Sequence, residues 1–94
     1  MIDLRQLPGS EERTVVDGQG YFPVIARLGE QGLVVALRGG APHIGLAGRL
    51  DVVHSHDGGR SWSGPITVAD SDRDDRNPAF GVAPDGHLVL AYYW

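Results

Sequence analysis

The chain contains no cysteine, and all eight of its basic residues are arginine. Without cysteine there is no disulfide framework and no thiolate metal site, and the redox compartment cannot be read. The lack of lysine fits a compositional bias as well as a need for the forked anion contacts that arginine makes and lysine does not. No run of about 18 apolar residues occurs, so no membrane-spanning helix is expected. The first stretch, MIDLRQLPGSEERTVVDG, has no basic segment followed by an apolar one. No signal peptide is therefore read, and the cytoplasm is the default location. A formal charge of −4 argues against a nucleic acid or a membrane surface as partner. Ninety-four residues make one small domain or part of a larger one. Nothing in the composition calls for a cofactor, and none is expected.

What the chain does have is punctuation. Fourteen glycines and six prolines cut it into short apolar runs: Val24 to Leu28, Leu33 to Leu37, Leu50 to His54, Ile66 to Ala69, Ala79 to Ala83 and Leu88 to Tyr93. All are of strand length and none sustains a helical period, so the reading is all-β. Gly29-Glu30-Gln31-Gly32 and Pro84-Asp85-Gly86-His87 read as hairpin turns.

An internal repeat organises these runs. With Pro23 laid on Pro78, Leu33-Val34-Val35-Ala36 falls on Leu88-Val89-Leu90-Ala91 without a gap, an offset of 55 residues. Thr14-Val15-Val16-Asp17 also resembles Thr67-Val68-Ala69-Asp70, at an offset of 53. The unit has four strands, a to d. The chain then reads d (13–17), a (23–28), b (33–38), c (49–55), d (65–69), a (78–83) and b (87–94). Residues 2–7 echo Leu50-Asp51-Val52 and are a further candidate strand. Four-stranded antiparallel units of this length build the blades of β-propellers. Residues 12–70 would be a first blade with its preceding outer strand, and residues 75–94 the start of a second.

Between strands c and d stands Ser55-His56-Asp57-Gly58-Gly59-Arg60-Ser61-Trp62, the pattern S-x-D-x-G-x-S-W. Each element has a mechanical job. Asp57 accepts hydrogen bonds from its own turn, Gly58 and Gly59 supply positive φ, and Trp62 covers the turn with its ring. Ser55, Asp57, Gly59, Ser61 and Trp62 are therefore read as structural.

This motif and the repeat resemble the sialidase superfamily of Asp-box (BNR-repeat) propellers over roughly residues 12–94. The resemblance implies a glycan or another anionic small molecule as partner, and an exo-glycosidase of sialidase type as the activity if there is one. It also implies a pocket on the face opposite the Asp-box turns. The positions that would reach it are Tyr21, Phe22, Arg38, His43, Asp75, Arg76, Asn77, Tyr93 and Trp94. Arg38 matches the arginine that ends strand b in that family. Two positions depart from the family pattern. Tyr21-Phe22-Pro23 stands where an Arg-Ile-Pro motif is usual, and the b-to-c loop, Gly39 to Gly48, has no carboxylate. His43 is its only ionisable side chain, and so the candidate general acid or base. Arg38 and Arg76 would orient an anionic substituent, with Tyr21 and Asn77 lining the pocket. The alternative is a non-catalytic binding or scaffold propeller.

Asp72, Asp74 and Asp75 form an acidic loop whose spacing fits no defined calcium site, and they are read as a solvated charge run. His54, His56 and His87 are read as apart from one another, with no zinc site. Seven or eight strands do not close a propeller. If residues 2–7 supply a c strand, the chain holds two blades, and three copies would complete a six-bladed homotrimeric ring.

Overall fold

Six strands form where the apolar runs lie. The computed structural model describes the whole chain, Met1 to Trp94. Its strands are β1 (Tyr21–Leu28), β2 (Gly32–Gly39), β3 (Arg49–Ser55), β4 (Ile66–Ala69), β5 (Arg76–Val82) and β6 (Leu88–Tyr93). They make two antiparallel sheets, a four-stranded one in the order β1-β2-β3-β4 and a hairpin of β5 and β6. The all-β expectation holds.

Two expected strands do not form. Residues 2–7 turn instead into a single 3-10 turn, Leu4–Gln6. Asp3 caps it by accepting the Arg5 N–H at 3.0 Å, and grips the Arg5 guanidinium at 2.9 Å. Residues 13–17 have no strand partner and pass through a bend, with Gly18 at φ 74° and Gly20 at φ 113°. Val15 and Val16 nonetheless pack on the core. The strand count is therefore six, and the count that favoured three copies loses its premise.

The repeat survives as geometry. β1 pairs with β2 through Tyr21↔Arg38, Val24↔Ala36, Ile25↔Val35, Ala26↔Val34 and Arg27↔Leu33. β5 pairs with β6 through Arg76↔Tyr93, Ala79↔Ala91, Phe80↔Leu90, Gly81↔Val89 and Val82↔Leu88, each shifted by the same 55 residues. Both hairpins carry an irregularity at the same place, between Tyr21 and Val24 and between Arg76 and Ala79. At its centre the residue before proline has positive φ, Phe22 at 51° and Asn77 at 46°.

Because partners across an antiparallel pair share a face, each side of the large sheet can be assigned. Val35, Leu37 and Val53 face one way and pack with Val15, Val16 and Trp62. Val34, Ala36, Arg38, Leu50 and Val52 face the other way, where β5 lies across β1, β2 and β3. β2 is consequently covered on both sides, with Val34 to Leu37 between 0 and 7 % exposed. Burying each such side chain contributes about 1.5–3 kcal/mol for the larger ones.

Asparagine tolerates the left-handed region better than other residues with a Cβ, so Asn77 tests the backbone reading. We expect Asn77→Ala to lower stability by about 1–2 kcal/mol. Asn77→Gly should stay within about 0.5 kcal/mol of the parent protein. Urea denaturation followed by tryptophan fluorescence measures both.

Candidate functional site

Arg38 ends β2 on the face that β5 covers, so its guanidinium must find partners inside the protein. It is 0 % exposed. Its Nη1 donates to the His43 carbonyl at 2.5 Å, and its Nη2 to the Gly45 carbonyl at 2.9 Å and to Asp74 Oδ1 at 2.6 Å. Nε is buried without an acceptor. Gly48 has no side chain because none fits: a Cβ there would run into the Arg38 guanidinium.

Arg76 approaches the same atoms from the other sheet. It donates through Nε to Asp74 Oδ2, and reaches the His43 carbonyl at 3.3 Å and the Gly45 carbonyl at 2.9 Å. Asp74 also accepts the Gly48 N–H at 2.7 Å, and the Asp75 N–H donates to the Gly48 carbonyl at 2.9 Å. Burial is the largest single influence on the Asp74 carboxyl and opposes ionisation. The Gly48 N–H, Arg76 and Arg38 together outweigh it and hold the pKa below the usual carboxylate range. Asp75 is itself buried and accepts Ser71 N and Oγ at 2.8 and 2.7 Å. Asp74 and Asp75 are thus bound within the fold and do not form a solvated charge run, while Asp72 is exposed.

The β2–β3 loop, pinned in this way, presents His43 at the surface. Its ring stacks on Tyr21 at 5.9 Å between centroids and meets the edge of Phe22 at 4.9 Å. Tyr21 and Phe22 are 41 % and 37 % exposed. On the other side of Tyr21 is a concavity of about 480 Å³ lined by Gly18, Gln19, Tyr21, Gly40, Pro42 and Arg49, among others. The Arg49 Nε donates to buried Asp51 at 2.9 Å, and Asp51 also accepts the Thr67 hydroxyl at 2.8 Å. This fixes the guanidinium plane and leaves its Nη edge toward the concavity, where Nη1 lies over Gly40. The fork suits a carboxylate or sulfate. Gln19 Oε1 accepts the Gly40 N–H at 3.2 Å and closes the floor.

The Ser55–Trp62 turn lies at the other end of β3, about 20 Å away at a strand's rise per residue. Asp57 Oδ1 accepts from Ser55 Oγ at 2.8 Å and Ser61 N at 2.9 Å, and Oδ2 from Ser61 Oγ at 2.5 Å. Ser55 Oγ accepts the Gly59 N–H at 2.9 Å, and the Trp62 indole donates to the Gly59 carbonyl at 3.0 Å. Gly59 is held at φ 93°. Hydrogen bonds from Ser61, then from Ser55, hold the Asp57 carboxyl far below its usual range.

Comparison of the chain with family models, with curated proteins and with solved structures finds no match. The site therefore stands on its own geometry.

Tyr21, Arg38, His43, Arg76 and Asn77 lie near one another at one end of the molecule. Their states differ. Arg38 has no exposed donor to offer a ligand, and Arg76 is largely committed to Asp74 and two carbonyls. Asn77 is exposed at the bulge beside Arg76. Trp94 lies under the Arg73 guanidinium, 5.4 Å from its ring centre. Arg49 and Gln19 were missed. The signal for Arg49 was its alternation with Asp51 on one face at the start of an apolar strand. His54 and His56, read as apart, have ring centres 4.7 Å apart.

Lysine cannot reproduce the forked contacts of Arg38, so Arg38→Lys should lower stability by about 2 kcal/mol; chemical denaturation measures it. The depressed carboxyls set the pH response. Asp57 and Asp74 contribute stability in full above the unfolded value near 4 and lose it as pH falls through their lower folded values. Circular dichroism on acidification from pH 7 should show stability holding to about pH 4 and then declining. Asp57→Asn should flatten that decline.

Proposed function

We propose that this chain is a glycan-binding unit with sialidase-like propeller architecture, and that its ligand carries an anionic group. The observation that carries the reading is the exposed Tyr21–His43 aromatic shelf next to the concavity into which Arg49 points. Sugar rings lay their C–H faces on such aromatic surfaces, and a planar guanidinium takes the carboxylate or sulfate beside them. The propeller reading is supported by the four-stranded antiparallel order, by the common register of the two hairpins and by the hydrogen-bonded Ser55–Trp62 turn.

Binding is favoured over hydrolysis by the state of the carboxylates. Asp74 approaches the His43 loop, where two guanidiniums and a backbone N–H engage it, and Asp51, beside the concavity, is buried against Arg49 and Thr67. The His43 ring meets aromatic neighbours. A glycosidase needs a pair of carboxyl groups, or their equivalents, free to protonate and to attack. In the binding reading Arg38 and Arg76 position the loop, while Tyr21, His43, Gln19 and Arg49 meet the ligand.

NMR titration with N-acetylneuraminic acid and glucuronic acid, against their neutral methyl esters, tests this. We expect shifts at Tyr21, His43 and Arg49 with the acids and weaker ones with the esters. Tyr21→Ala should weaken binding about five- to tenfold. Equal affinity for acids and esters would exclude the role given to Arg49.

A further inference from the structure

Two hairpins of the same register and similar sequence have different surroundings. Leu33-Val34-Val35-Ala36 is enclosed on both faces, whereas Leu88-Val89-Leu90-Ala91 is enclosed on one. Val34 is 6 % exposed and its counterpart Val89 is 55 % exposed. Only 13 of the 94 residues are buried, and large apolar side chains stand in solvent at both ends of the two-sheet stack.

The contact between the sheets defines what would cover them. The β5–β6 hairpin turns its Phe80, Leu88 and Leu90 face toward the large sheet: Leu88 borders a cavity with Val34 and Val52, and Phe80 and Leu90 are partly buried. It meets the side of β1 and β2 that carries Val24, Ala26, Val34 and Ala36. In repeat terms, the bulky face of one hairpin lies on the small-residue face of the other. Phe80 and Leu90 correspond to Ile25 and Val35, and Val24, Ala26, Val34 and Ala36 correspond to Ala79, Gly81, Val89 and Ala91.

The small-residue half of that contact is present once more, unused; of the bulky half, Ile25, the counterpart of Phe80, is exposed, while Val35, the counterpart of Leu90, is covered by Val15 and Val16. Ala79, Gly81, Val89 and Ala91 form a small-residue face directed away from the large sheet. Ile25, 61 % exposed, and Pro23 border an apolar groove of about 410 Å³ whose floor is Val35 and Leu37 and whose far wall is Val15 and Val16. We propose that these two faces bind each other between copies of this chain, so that the hairpin of one copy seats on the Ile25 groove of the next. The geometry of the existing contact between the sheets argues for a second copy as the occupant. The two faces are different surfaces, so the association is head-to-tail. This goes beyond glycan binding and does not depend on it.

Light scattering coupled to size exclusion, from micromolar to millimolar concentration, gives the first test. The average mass should rise above that of one chain. Ile25→Arg and Val89→Arg should each weaken association at least about tenfold, and Ala91→Arg should act as Val89→Arg does; circular dichroism checks that each is folded. Ile25→Arg keeps an intact hairpin face and Val89→Arg an intact groove. An equimolar mixture of the two should therefore form a one-to-one pair and stop there. A parent protein that stays monomeric throughout, or a mixture that yields no pair, would overturn the proposal.

Discussion

Asp74 is where the two sheets and the loop become one structure. It lies between β4 and β5, and its carboxylate takes one guanidinium from the end of β2, one from the start of β5 and the N–H of Gly48. Removing such charges from water costs several kcal/mol per ion, and hydrogen bonds at all of the Arg38 donors but Nε offset it. Here the offset comes from backbone as well as side chains: the His43 and Gly45 carbonyls accept from both arginines. The loop is thereby closed from inside. The position of His43 against Tyr21 follows from this closure, and so does the placing of β5 and β6 on the large sheet.

Strands β1 to β6 were legible because each is a short apolar run between glycine or proline turns. Their pairing was legible because the two hairpins repeat. The fate of Arg38 was not. In the sequence it ends an apolar run and lies next to a glycine-rich loop, which reads as a position open to a ligand. Its register with Leu50 directs it to the inner face, and its partner Asp74 is 36 residues away. No local pattern reports such a pair. Residues 2–7 misled for the opposite reason. Their alternation is strand-like, but Asp3 offers the Arg5 N–H a closer acceptor than any neighbouring strand would. Residues 13–17 share the composition of β4 yet pair with no strand; a bend there lets both Val15 and Val16 pack on the core.

The bulges before Pro23 and Pro78 say something about where strain is kept. Proline disfavours the right-handed helical region for the residue before it, and here that residue takes positive φ in both repeats. Asn77 suits this conformation, whereas Phe22 does not, and a left-handed residue with a Cβ costs about 1–2 kcal/mol. Phe22 is held by its contact with His43. The strained residue therefore belongs to the aromatic shelf, at the surface where a ligand would meet the protein, and the Asp57 turn at the far end is closed by its own hydrogen bonds.

Composition alone explains a lack of lysine without any structural demand. Yet five of the eight arginines donate from two nitrogens at once: Arg5 to Asp3, Arg13 to Glu11 and Glu12, Arg27 to the Gly29 and Glu30 carbonyls, and Arg38 and Arg76 to the Asp74 cluster. At the exposed positions a lysine would lose little, because solvent screens such pairs. At Arg38 the planar fork is the structural requirement. It spans two carbonyls and a carboxylate in a space where Gly48 leaves room for a flat group, and a single ammonium on a flexible stem could satisfy one of them at a time. The bias in composition and the demand of the fold coincide at that residue, and there the demand of the fold decides.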